Sequence, residues 1–129
     1  MIIIVEDDPA VRRSLQLLLM AQSYEVRTYP SGAALLADAK GQDCACLIAD
    51  YRLADMDALT LLTRLRAEGT MWPSVLITGL RTPELDEQAL AAGFAAVFEK
   101  PLRLHTLMDV VTRMSGQRPP EDGIAHAGR

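Results

Sequence analysis

Short runs of Ile, Val and Ala alternate along this chain with longer stretches whose apolar residues recur at helical spacing. That alternation limits the possible folds more than any other feature. The runs at 1–5, 45–49 and 75–77 are almost uninterrupted, and weaker ones stand at 25–29 and 95–98. They predict β-strands. Between them, Val11, Leu15, Leu18 and Leu19, then Leu59, Leu62 and Leu65, and later Leu104, Leu107 and Val111 fall on one face of a helix. Start signals agree with this reading. Asp8 before Pro9, Ser31 before Gly32, Asp57 before Ala58 and Thr82 before Pro83 suit N-cap positions, and two of the four are followed by proline at the first helical position. Gly69 and Gly93 fit as stops.

Strand and helix alternating five times imply an α/β fold: a doubly wound parallel sheet with helices on both faces, joined by right-handed crossovers. Strands one and three, nearly all apolar, are expected in the middle, whereas residues 24–30 mix in charge and suggest an edge. The order 2-1-3-4-5 satisfies both. With 129 residues, a single domain over 1–115 is expected. From Gly116 the pattern turns polar and aperiodic, which predicts a disordered tail or the start of a linker over 116–129.

Composition narrows the function. Net charge is −4 with no basic stripe, so neither nucleic acid nor an anionic membrane is favoured as a partner. No apolar run approaches the roughly 20 residues needed to span a bilayer, and Glu6-Asp7-Asp8 follows the first apolar run where a secretory signal would continue. A soluble, cytoplasmic domain is expected. Cys44 and Cys46, two apart, would share one face of a strand and read as buried, reduced thiols. His105 and His126 sit in no zinc-ligand spacing with them.

In an open parallel sheet, ligands bind beyond the carboxyl ends of the strands, where the strand order reverses. That edge would hold Glu6, Asp7 and Asp8 after strand one, Asp50 ending strand three, Thr78 ending strand four and Lys100 after strand five. Two unit charges ~4 Å apart repel by about 4 kcal/mol at an effective dielectric of 20. Lys100 alone cannot neutralise so many carboxylates, so a cation is required, and hard oxygen ligands favour Mg²⁺. A carboxylate nucleophile beside Mg²⁺, a lysine and a hydroxyl suffices for phosphoryl transfer, with Asp50 as the nucleophile.

Four segments match one known pattern in order: Ile-Val-Glu-Asp-Asp-Pro-Ala-Val-Arg after strand one, Leu-Ile-Ala-Asp-Tyr-Arg-Leu around Asp50, Leu-Ile-Thr-Gly at Thr78 and Glu-Lys-Pro at Lys100. Over residues 1 to about 115 the chain resembles the receiver domain of two-component response regulators, a flavodoxin-like three-layer αβα fold. The resemblance implies phosphorylation of Asp50 by a sensor histidine kinase or phosphotransfer protein carrying phosphohistidine, with Thr78 and Lys100 holding the phosphoryl oxygens. It implies Mg²⁺ on Asp7 directly, on Glu6 through water, on Asp50 and on the carbonyl of Arg52. Spacing to Val11 and Arg12 sets that register, a slip of one residue being the alternative, and leaves Asp8 as the helix cap. Such a domain is not an enzyme toward other substrates; it catalyses only its own phosphorylation and dephosphorylation. Output would be contact with an unknown downstream protein through the fourth and fifth helices and strand five, with room for a homodimer formed on phosphorylation. Leu85, Leu90, Leu104 and Met108 could be partly exposed there, although the expectation is that all four are core.

The pattern is broken in places. Ala54 and Ala58 stand where the family has proline and glycine, and Val97 where it has an aromatic ring that swings inward on activation. Phe98, next along the strand, should point the other way. Activation is therefore expected to be reported by the loop after Thr78 and the helix near Pro83. Arg52 and Leu80, two residues past Asp50 and Thr78, would tune phosphoryl lifetime. Three rival functions remain. A nucleotide or flavin binder would need a glycine-rich or hydroxyl-rich phosphate turn where three acids stand. A Mg²⁺-dependent phosphatase would have to use Asp55 and Asp57. A pseudo-receiver would dock onto partners without being phosphorylated.

Overall fold

The computed structural model describes residues 1–116. Five parallel strands, β1 (Ile2–Val5), β2 (Val26–Tyr29), β3 (Cys46–Asp50), β4 (Ser74–Thr78) and β5 (Ala96–Glu99), form one sheet in the order β2-β1-β3-β4-β5. Between and after them run α1 (Pro9–Ala21), α2 (Gly32–Asp38), α3 (Ala58–Ala67), α4 (Pro83–Ala92) and α5 (Leu104–Ser115). The expected order and both central strands are as the hydrophobic pattern requires: every residue of β1, β3 and β4 is buried, while edge strand β2 is only partly so.

Because side chains alternate across a strand, the sheet divides the core in two. Ile2 and Ile4, Cys46 and Ile48, and Val75 and Ile77 face α1 and α5, where Leu15, Leu19, Leu107 and Val111 close over them. Ile3 and Val5, Leu47 and Ala49, and Leu76 face α2, α3 and α4, packing with Leu35, Leu61, Leu62, Leu65 and Leu85. Fully burying each of these Ile, Leu and Val side chains contributes about 1.5–3 kcal/mol before entropy is counted.

The helix signals act as read. Asp8 accepts the amides of Ala10 and Val11, Ser31 that of Ala34, Asp57 that of Thr60 and Thr82 that of Leu85. Gly93 ends α4 at φ 114°, a left-handed angle that disfavours any side chain. No described helix is long and apolar enough to cross a membrane.

Two expectations are corrected. Cys44 and Cys46 do not share a face: the strand begins at Cys46, and Cys44, before it, packs with the α2–α4 layer while Cys46 packs toward α1 and α5. Both thiols are buried and free, and burial pushes them up to about 11 and about 12. The four leucine and methionine positions on α4 and α5 are not all core. Leu85 is 6 % exposed, but Leu90 is 72 % and Leu104 48 %, and Met108 is half-buried. On α4 the buried pair Leu85 and Ala89 is one turn apart, and Leu90 lies about 100° around from Ala89. Leu104 is the first residue of α5, a turn before buried Leu107. The tail expected over 116–129 falls, beyond Gly116, outside the described residues, as does His126.

Candidate functional site

All five strands run the same way, so their carboxyl ends share one edge of the sheet, and β1 lies beside β3 there. Asp50 is the last residue of β3, Glu6 and Asp7 follow β1, Thr78 ends β4 and Lys100 follows β5. Carboxylate oxygens of Glu6, Asp7 and Asp50 lie within 4.8 Å of one another. Lys100 Nζ is 3.3 Å from Glu6 Oε1 and 3.3 Å from Asp50 Oδ1. The side chains of Glu6 and Asp50 are only 2 % and 11 % exposed, whereas Asp7 is open to solvent.

Charge in this pocket is unbalanced, with three acids facing one lysine. Burial raises the Glu6 carboxyl to about 7; the Asp50 charge also pushes it up, while the Asp8 amide and Lys100 pull it down. For Lys100, burial disfavours the charge, but the attraction of Asp50 and Glu6 outweighs it and the pKa is raised. The Glu6 main chain is held as well: its amide donates to the Tyr29 carbonyl at 3.1 Å, and its carbonyl accepts Arg12 Nη1 at 2.7 Å. Asp8 is not in the acidic group, because its carboxylate caps α1.

Thr78 sits at the expected strand end, but its hydroxyl is engaged with its own loop. It donates to the Leu80 carbonyl and accepts the Leu80 amide, both at 3.2 Å. Arg52 stacks its guanidinium over the Tyr51 ring, 5.9 Å from the centroid. Its backbone pairs with Asp57 in an isolated antiparallel bridge, closed by Leu53 N to Met56 O and Ala58 N to Tyr51 O. That bridge leaves the Arg52 carbonyl outside its two hydrogen bonds. Val97 packs with the α2–α4 layer and Phe98 with the other, so the two do point apart.

The two acids of the phosphatase reading are both engaged with amides at helix starts. Asp57 starts α3, and Asp55 accepts the Gly32 and Ala33 amides at the start of α2. Neither joins the acidic group. Sequence reasoning missed the Asp55 contact, the Arg12 contact with Glu6 and the cis Lys100–Pro101 peptide. The first joins residues far apart in sequence, and no local motif signals it. The Arg12 contact spans six residues and joins a side chain of α1 to the main chain of Glu6, which precedes the helix, so no helical spacing signals it. Open grooves of about 410 and 440 Å³ flank Lys100 and Pro101, one lined by α1 and the start of α5, the other by Arg81, Val97 and Arg103.

The fold and this edge define a class, and comparison with known proteins supplies the family. Residues 2–112 match the family model for the response regulator receiver domain. The chain belongs to that family. It is 37 % identical over 109 residues to the C4-dicarboxylate transport transcriptional regulatory protein DctR of Rhodobacter capsulatus, covering 83 % of this chain and 55 % of the relative. It is 32 % identical over 130 residues to the transcriptional regulatory protein FixJ of Azorhizobium caulinodans, covering 98 % and 62 %. The chain thus spans little more than half the length of these relatives. Among solved structures, a CheY-like receiver domain protein from Methanospirillum hungatei JF-1 superposes with a TM-score of 0.82 at 25 % identity, over 89 % of this chain and 92 % of that one. The receiver domain of Francisella response regulator 1452 gives 0.84 at 16 %, over 89 % and 95 %, a likeness of fold alone.

Proposed function

We propose that this receiver accepts a phosphoryl group on Asp50 from a phosphohistidine, with Mg²⁺ in the pocket of Glu6, Asp7 and Asp50. The observation that carries the reading is the pair of 3.3 Å contacts from Lys100 to Glu6 and Asp50, beside a third carboxylate, that of Asp7, which forms no ion pair among the described residues. Three converging acids with one lysine suit a hard divalent cation. Asp7 and Asp50 would hold it directly, Glu6 through water, and the carbonyl of Arg52 would complete the protein ligands. When bound, Mg²⁺ supplies charge neutralisation for the carboxylates and the phosphoryl oxygens.

An Asp50 oxygen attacks phosphorus, the P–N bond breaks, and the imidazole leaves with the bonding pair. An acyl phosphate results. Lys100, already beside Asp50, pairs with a phosphoryl oxygen, and the Thr78 hydroxyl turns from Leu80 to donate to another. Loss of the phosphoryl group follows when water attacks phosphorus and Asp50 departs as carboxylate. Chemistry on any other substrate is not part of this reading.

The donor would be a sensor histidine kinase or phosphotransfer protein. Output would be contact with a downstream protein; the named relatives are transcriptional regulators, and with a net charge of −4 this chain itself would leave nucleic acid to other elements. The test is incubation with Mg²⁺ and acetyl phosphate followed by intact mass, with Asp50→Asn as control. One base-labile phosphoryl adduct, absent from the variant, is expected. An unmodified wild type that also fails to bind Mg²⁺ would sink the proposal in favour of a docking module that is never phosphorylated.

A further inference from the structure

The segment between β3 and α3, residues 51–57, carries the Arg52 carbonyl, yet contains neither the proline nor the glycine that would set its backbone. Two of its fastenings are local: the Asp57 cap on α3 and the Arg52–Asp57 bridge. A third reaches to another element. The two Asp55 carboxylate oxygens accept the Gly32 amide at 3.1 Å and the Ala33 amide at 2.8 Å, across 23 and 22 residues of sequence. Beside this contact Met56 seats on Gly32 so closely that a Cβ there would lie 2.6 Å from Met56 Sδ. Both main-chain amides hold the Asp55 carboxyl below its usual range, so the charged form makes the contact.

We propose that Asp55 is a positioning residue for phosphoryl acceptance: by clasping the first turn of α2 it keeps residues 51–57, and with them the Arg52 carbonyl, in one conformation next to Asp50. This rests on the metal-dependent reading of the site. Asp55 stands apart from the acids that would share the cation, so its contribution is order rather than charge at the metal. A loop ordered beforehand loses less conformational freedom when its carbonyl takes up a ligand. The clasp thus does here what proline and glycine do by restricting and permitting backbone angles.

The experiment is calorimetric titration of the wild type, Asp55→Ala and Gly32→Ala with MgCl₂, alongside thermal unfolding and amide exchange without metal. Gly32→Ala leaves every carboxylate in place and displaces Met56, so it tests the clasp without altering charge. Both variants are expected to raise the Mg²⁺ Kd by about ten-fold, the low end of the cost of losing an outer partner at a metal site. Exchange protection should fall at the Leu53 and Ala58 amides, which close the loop. A merely structural role would lower Tm and leave the Kd alone. Variant Kd values within about two-fold of a Mg²⁺-binding wild type, well short of the ordinary outer-partner effect, would overturn this inference and spare the reading beneath it. A wild type that binds no Mg²⁺ would overturn both.

Discussion

Lys100 stands 3.3 Å from Asp50, the last residue of a strand that is not its own neighbour in the sheet: β4 lies between β3 and β5. The lysine therefore spans the carboxyl edge and occupies charge that an entering cation would otherwise meet. Replacing it by methionine should have opposite effects on two steps. Mg²⁺ should bind about ten-fold more tightly at low salt, the equivalent of roughly 1.4 kcal/mol, because one competing charge is gone. Phosphoryl acceptance from acetyl phosphate should slow, since a donor oxygen loses its partner. Calorimetry and intact-mass time courses measure the two; weaker Mg²⁺ binding in Lys100→Met would contradict the assignment of competing roles.

Glu6 gives the metal-free protein an unusual pH profile. Its carboxyl is raised from 4.5 to about 7 in the fold, chiefly by burial. Between those values the folded state holds a proton that the unfolded chain has released. The folded state thus binds more protons, and stability falls as pH rises through this window. The Tm of the metal-free protein should decline from about pH 5 to pH 8, with this component absent in Glu6→Gln, which cannot ionise. Mg²⁺ affinity should rise over the same range as Glu6 gives up its proton. Parallel Tm profiles for wild type and Glu6→Gln would refute the assignment to Glu6.

Much of this was legible in the sequence because it rests on local pattern. The Ile-Val runs set the strands, their buried character set the order, and a parallel sheet then brings Glu6, Asp7, Asp50, Thr78 and Lys100 to one edge. Four N-caps were visible because a cap is a short-range contact of side chain with amides two or three residues on. What escaped was long-range or rotational. The Asp55 clasp joins segments more than twenty residues apart. Cys44 fell on the unexpected face because alternation holds only inside a strand, and the strand starts two residues later. Leu90 looked like core because apolarity alone does not give the angle about the α4 axis.

That angle can be tested by stability. Leu76, fully buried in β4, and Leu90, 72 % exposed on α4, differ in what truncation removes. Leu76→Ala should lose about 2–5 kcal/mol of unfolding free energy through lost burial and a cavity. Leu90→Ala should stay within about 0.5 kcal/mol of the wild type. Urea unfolding of both settles the matter, and comparable losses would return Leu90 to the core.

Phosphorylation of Asp50 should be reported through the loop after Thr78, since Val97 offers no aromatic ring that could rotate. The Thr78 hydroxyl holds Leu80 by both its amide and its carbonyl. One residue on, the Arg81 amide donates to Glu99 Oε2 at 3.1 Å, and its guanidinium pairs with Asp86 of α4 at 2.9 Å. If the hydroxyl turns to a phosphoryl group on Asp50, Leu80 loses both bonds, and Arg81 is placed to carry the change to β5 and α4 together. No ring need rotate, because Val97 is small and packs on the other layer from Phe98. Amide resonances of Leu80, Arg81 and Asp86 should therefore shift on phosphorylation by more than those of Val97 and Phe98. In Arg81→Ala the Leu80 shift should persist and the Asp86 shift shrink, because the link between loop and helix is cut while the Thr78 bonds are intact. Unchanged signals from Leu80 through α4 in the phosphorylated protein would rule out this route.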